Sequence, residues 1–232
     1  MSCDTYDWRE NETKRLMRIQ SEFALTLRVA QWTPLVTVFG SSRLRPGDRS
    51  YELAYDVAYG LADSGYRIIT GGGGGAMEAA NRGAYDASRG HQDSGPLSIG
   101  ACLRLPNEQD DNPYLQKAYH FDHFHARKVA LSRYSSAFVV MPGGFGTMDE
   151  LFEVLTLMQT GKRNKAPVVL CDRWYWDGLA NWIHTNMALS APPMINMKDE
   201  SLLSFDVDGN VDDIVDFIRE MDNGPGADTG PR

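Results

Sequence analysis

Five short apolar runs, at 34–40, 66–70, 97–103, 136–141 and 166–171, are rich in β-branched residues and show no inside/outside alternation. A strand with one wet face alternates polar and apolar side chains, whereas a strand covered on both faces does not. Between the runs lie segments of helical periodicity at 51–65, 76–88, 147–160 and 174–189, with a last helix near 210–221. "KAYHFDHF" reads as extended and "HARKVALSRY" as helical. Doubly buried strands alternating with helices predict an α/β fold, with a doubly wound parallel sheet and helices on both faces.

At 232 residues and 42% hydrophobic content the chain can bury one sizeable core, and 34–221 read as a single domain. Residues 1–33 read as an N-terminal extension. Within it, 8–31 form an amphipathic helix with Leu16, Ile19, Phe23, Leu27 and Ala30 on one stripe, facing the domain or a partner subunit. Residues 222–232, "DNGPGADTGPR", read as a disordered tail.

The formal net charge is −8 and no face is dense in Lys or Arg, which argues against nucleic acid or an anionic membrane as partner. An anionic ligand must then be gripped locally, by loops and a few placed cations. The three cysteines, Cys3, Cys102 and Cys171, have neither zinc-site nor redox-pair spacing and read as reduced thiols. No run of about 18 apolar residues occurs, so a soluble, cytoplasmic protein is expected.

Ligands of such sheets bind beyond the carboxyl ends of the strands, where strand order reverses. Three strands here run into small-residue turns: Gly40-Ser41-Ser42, Gly71 to Gly75, and Gly143-Gly144-Phe145-Gly146-Thr147. Gly71, Gly73 and Ala76 approximate a dinucleotide fingerprint, but they follow the second strand and no acidic residue closes the next one. A GxxxxGK[ST] segment is absent. The third turn suits a phosphate monoester: glycines let successive N–H groups converge, and a helix starting at Thr147 adds its positive end. A structural reading competes, because Thr147-x-x-Glu150 matches a capping box. That box leaves Pro142, Gly143 and Gly144 unexplained.

Arg127 and Lys128 lie on the helix leading into the strand before this turn, either as a solvated face or beside the ligand. His120, His123 and His125 lack a carboxylate or cysteine spaced to complete a metal site, so no metal is expected.

The nine residues "PGGFGTMDE" (142–150), with Arg127-Lys128 upstream, resemble the Lonely guy (LOG) family of nucleoside 5′-monophosphate phosphoribohydrolases. "VFGSSR", "ITGGGGGAMEAANRGA", "LPNEQDDNPY" and "PVVLCDRWYWDGL" extend the resemblance over roughly 34–220, and the length and "GGGGGAME" resemble its longer bacterial branch. The resemblance implies a Rossmann-like fold, a homodimer or larger homo-oligomer, and no cofactor. It implies hydrolysis of the N-glycosidic bond of an AMP-like or cytokinin riboside 5′-monophosphate. Glu150 and Arg127 would be catalytic. Gly40, Ser41, Glu78, Glu108, Lys128, Gly143, Gly144, Phe145, Gly146, Thr147 and Thr156 would bind substrate. Some relatives bear a lysine decarboxylase label, yet nothing in the sequence looks like a cofactor-bearing lysine with its partner carboxylate. A non-catalytic nucleotide or cofactor carrier on the same fold is the competing expectation, and Glu150 together with Arg127 is the feature that separates the two.

Overall fold

The five apolar runs are strands β1 (Leu35–Phe39), β2 (Arg67–Thr70), β3 (Ser98–Leu103), β5 (Ser135–Val140) and β6 (Val168–Leu170), and nearly every residue in them is buried. The computed structural model describes residues 12–90, 95–104, 110–205 and 210–223. The extended segment forms a sixth strand, β4 (Lys117–Phe121), and the residue pair Ser204–Phe205 forms β7. All pairings are parallel and the order is β4-β3-β2-β1-β5-β6-β7. The chain winds outward from β1 to β4, then returns to the other side of β1 with β5. Strand order therefore reverses between β1 and β5, which opens a crevice at their carboxyl ends.

Alternate side chains along each strand feed two cores. Val36, Val38, Ile68 and Val139 pack under α2 (Arg49–Asp63), α3 (Ala76–Ser88) and α8 (Val211–Asn223). Leu35, Phe39, Ile69, Phe138 and Val140 pack under α1 (Glu12–Ala30), α4 (Phe124–Ser132), α5 (Phe145–Gln159) and α6 (Arg173–Trp182). A π-helical segment, Ile183–Ala188, prolongs α6, and α7 (Met197–Glu200) is a single turn. The result is a three-layer, doubly wound α/β sandwich. Among the described residues no helix is long and apolar enough to cross a membrane.

Helix boundaries differ from expectation in instructive places. Helix α8 runs to Asn223, two residues into the stretch read as a tail; the rest of that stretch, and Glu108, lie outside the described residues. The apolar stripe of α1 does not face the domain, since Leu16, Phe23 and Leu27 are exposed. Its inward face carries Glu22, Thr26 and Val29.

Glu22, 8% exposed, has a specific task. Its carboxylate accepts hydrogen bonds from the backbone N–H groups of Asp122 (3.2 Å) and His123 (3.1 Å), and lies 3.0 Å from His123 Nδ1. His123 is the N-cap of α4, whose own side chain makes no capping bond. A carboxylate on one helix thus orders the start of another, where negative charge suits the dipole. Leaving a buried donor unpaired costs about 1–3 kcal/mol. Glu22→Ala is expected to lower unfolding free energy by about that amount, read as a lower urea midpoint at unchanged slope.

Candidate active site

The three glycine turns are joined through their backbones. The Ser41 N–H donates to the Pro142 carbonyl at 3.0 Å, and the Ser41 carbonyl accepts from the Ala76 N–H at 2.9 Å. Close approach forbids side chains at the seams. A Cβ on Gly40 would lie 2.5 Å from Ala76 Cβ, and one on Gly75, whose φ is +69°, would collide with the Ser41 carbonyl.

The second turn is held from below by buried side chains. The Gly72 N–H donates to Thr70 Oγ1 (2.9 Å), whose hydroxyl donates to Asn81 Oδ1 (2.6 Å). Asn112 closes the other side: its N–H donates to the Gly72 carbonyl, and its amide to the Gly73 carbonyl (3.1 Å) and Asn81 Oδ1 (3.0 Å). Thr70 and Asn81 are fully buried, so each unmade bond would carry its full desolvation cost.

The third turn departs from the capping-box expectation. Helix α5 starts at Phe145, with Gly144 as N-cap and no side-chain capping bond. The helix begins two residues early because Gly143 leaves room: a Cβ there would strike the Thr147 hydroxyl. Met148 N–H bonds the Gly144 carbonyl at 3.0 Å, so the N–H groups of Phe145, Gly146 and Thr147 have no intrahelical acceptor. Tyr175 on α6 donates its hydroxyl to the Gly143 carbonyl at 2.6 Å and fixes the turn from outside.

These turns line a cleft of about 1080 Å³, roomy for a small-molecule site. Gly40, Ser41, Gly143, Gly144, Phe145, Gly146, Thr147, Arg127 and Glu150 all lie on its wall, as do Tyr175 and Asp111. Arg127 reaches it because α4 starts above the carboxyl end of β4. Its guanidinium Nη2 is 3.5 Å from Glu150 Oε1.

Glu150 is only 7% exposed. Burial raises its pKa above the ordinary glutamate value, while the cations of Lys128 and Arg127 oppose that rise. Lys128 sits behind the carboxylate, with Nζ 2.7 Å from Glu153, 2.9 Å from Asp149 and 3.2 Å from Glu150. Burial alone would lower the Lys128 pKa, but these acids carry it up to about 12. Lys128 is thus a fixed cation that holds Glu150, and it does not line the cleft.

Two other expected ligands, Glu78 and Thr156, are not among the residues lining the cleft. Glu78 accepts the Tyr51 hydroxyl at 3.0 Å, turned toward α2 by its place on α3. Thr156 is exposed and donates to the Phe152 carbonyl. Six residues past Glu150, it is rotated about 240° and displaced about 9 Å along the helix. Sequence reading missed Tyr175, Asn81 and Asn112. Asn81 left a signal as a lone amide in the alanine-rich face of "AMEAANRGA". Tyr175, between two tryptophans, read as packing.

The histidines separate. His123 pairs with Glu22 and His184 with Glu200 (2.8 Å), whereas His120 Nε2 lies 2.7 Å from Asp111. Cys102 joins this last pair: its thiol, pushed up to about 12 by burial first and then by Asp111, is within 4.8 Å of both partners.

A family model described as "Possible lysine decarboxylase" matches residues 77–215. A Mycobacterium tuberculosis protein named cytokinin riboside 5′-monophosphate phosphoribohydrolase is 32% identical over 134 residues, which is 57% of this chain and 68% of that protein. A Rhodococcoides fascians protein of the same name is 31% identical, over 64% of this chain and 73% of its own. Among solved structures, the molybdenum cofactor carrier protein of Chlamydomonas reinhardtii has a TM-score of 0.57 at 18% identity, covering 82% of this chain and 98% of that one. That likeness shows the shared fold. With the family model spanning more than half the chain and named relatives at about 30% identity, the chain belongs to the LOG family.

Proposed function

We propose that the cleft hydrolyses the N-glycosidic bond of nucleoside 5′-monophosphates, AMP-like or cytokinin riboside 5′-monophosphate, releasing free base and ribose 5-phosphate. The observation that carries this reading is a nearly buried carboxylate, Glu150, on the wall of the cleft, 3.5 Å from the Arg127 guanidinium. A capping box does not explain Glu150, because α5 is capped at Gly144, three residues before the Thr147 that such a box needs.

The chemistry follows from the order of groups along α5. The unpaired N–H groups of 145–147 and the positive helix end attract the 5′-phosphate. Glu150 lies one turn further on, which suits a sugar tethered by that phosphate. As the bond to the base stretches, positive charge grows on the ribose ring. A carboxylate in a water-poor site stabilises that charge and accepts a proton from the attacking water. Arg127 orients the phosphate or the departing base. Binding energy from the remote phosphate becomes rate by fixing this geometry. Water supplies the hydroxyl that ends on C1 of the ribose, and the base leaves with a proton.

The M. tuberculosis and R. fascians relatives carry the name of this activity, which supports the reading. A carrier would bind the same anion without needing Glu150 ionised. The two are separated by incubating the protein with AMP, GMP, CMP and a cytokinin riboside monophosphate, then measuring free base by chromatography. Glu150→Gln is expected to lower kcat by about 10²–10⁴-fold with the fold intact. Wild-type turnover in that variant, or no free base from any substrate with the native protein, defeats the proposal.

The acid limb of the rate profile gives an independent check. Glu150 must be a carboxylate to act, and its pKa is raised by burial, so kcat/KM falls as pH drops through a value above the ordinary glutamate range. Lys128 lowers that pKa, so Lys128→Met should move the limb to still higher pH, while Lys128→Arg should hold it near wild type. A limb unmoved by Lys128→Met would show that Glu150 is not the titrating group.

A further inference from the structure

Outside the carboxylate machinery, one cluster on the cleft wall has no task in glycosidic hydrolysis. Strands β3 and β4 run side by side with Cys102 opposite His120. Neighbouring strands are about 4.8 Å apart, so side chains at paired positions on one face are adjacent. Asp111 arrives from the connection between these strands and is set in place by its neighbour Asn112, which is pinned to the Gly72 and Gly73 carbonyls. Cys102 Sγ, a carboxylate oxygen of Asp111 and a ring nitrogen of His120 all lie within 4.8 Å of one another.

The order of contacts decides what this trio can do. Asp111 meets His120 Nε2 at 2.7 Å, and its carboxylate lies within 4.8 Å of the Cys102 sulfur. A nucleophilic thiol needs the imidazole beside the sulfur as base, whereas His120 Nε2 is engaged by Asp111. A tetrahedral cation fits better. With zinc bonds of about 2.0–2.3 Å, ligand atoms sit about 3.3–3.6 Å apart. The 2.7 Å His120–Asp111 contact needs to open only slightly as metal replaces proton. One thiolate and one carboxylate offset a 2+ charge, and the neutral imidazole completes three protein ligands. Sulfur with nitrogen and oxygen selects a borderline-soft ion over magnesium or calcium.

We propose that Cys102, Asp111 and His120 bind one zinc-class divalent cation on the wall of the cleft, with the fourth position open to water or to a donor atom of a cleft ligand. Because Cys102 and Asp111 line the cleft that holds Glu150, metal here meets the same ligand from another side. Binding exchanges the thiol proton for metal, so each cation taken up releases a proton.

The test uses the full chain, stripped with chelator and kept reduced, and titrated with Co²⁺ as a spectroscopic stand-in for Zn²⁺. The expected result is one Co²⁺ per chain, with a thiolate-to-cobalt charge-transfer band, tetrahedral visible bands, and displacement of both by Zn²⁺. Loss of a residue that only hydrogen-bonds a metal ligand costs metal sites up to about 100-fold in affinity. Loss of a ligand in Cys102→Ser, Asp111→Asn or His120→Ala should cost more, whereas Cys171→Ser should leave the band in place. Should Cys102→Ser fail to fold, Asp111→Asn and His120→Ala decide the matter, since both residues are partly exposed and outside the core. The proposal is overturned if the native chain shows no thiolate band, if its cobalt spectrum is octahedral, or if the band survives the Asp111 and His120 changes.

Discussion

The carboxyl edge of this sheet is tied together at one residue, Ser41. Its N–H is given to the turn after β5 and its carbonyl to the start of α3. The three turns therefore behave as one body, although they come from strands far apart in sequence. Such bonding requires backbones nearly in van der Waals contact, which is why Gly40 and Gly75 have no tolerated substitute on steric grounds. Around this unit the side chains divide the work. Thr70, Asn81 and Asn112 hold the second turn from inside, and Tyr175 holds the third from outside.

The electrostatics follow the same economy. The protein is acidic overall, yet Glu150 is flanked by Arg127 on the cleft wall and by Lys128 from behind, close to a helix start. Lys128 is shared by three acids and stays charged. Glu150 therefore experiences burial and cationic attraction together, and its proton affinity reflects their difference. Neither effect acting alone would leave a nearly buried carboxylate both ionisable and facing a ligand space.

The sheet was largely legible because doubly buried strands have a distinctive composition, and helix α3 falls on its expected bounds. β7 was not legible: two residues, Ser204 and Phe205, become a strand only by pairing with Val169 and Leu170. The π-helical widening at 183–188 was likewise invisible, since helical periodicity does not resolve one extra residue per turn. At the site, Arg127, Glu150 and the glycine turn were readable, but the start of α5 was not. "Thr-x-x-Glu" is a strong local signal, and it was overruled by the close packing of Thr147 on Gly143. Cys102, Asp111 and His120 stand nine residues apart in succession, a spacing that means nothing until β3 and β4 are known to be neighbours.

The contact from Glu22 to the start of α4 changes how the N-terminal helix should be regarded. Its outward face carries exposed apolar residues and it precedes the first strand, so it resembles a removable appendage. Trimming it would nonetheless uncap the segment that carries Arg127 and Lys128 toward the cleft. A shortened protein made to isolate the central sandwich would therefore have a disturbed cleft as well as a smaller fold, and the cleft's properties measured on it would misstate those of the native molecule.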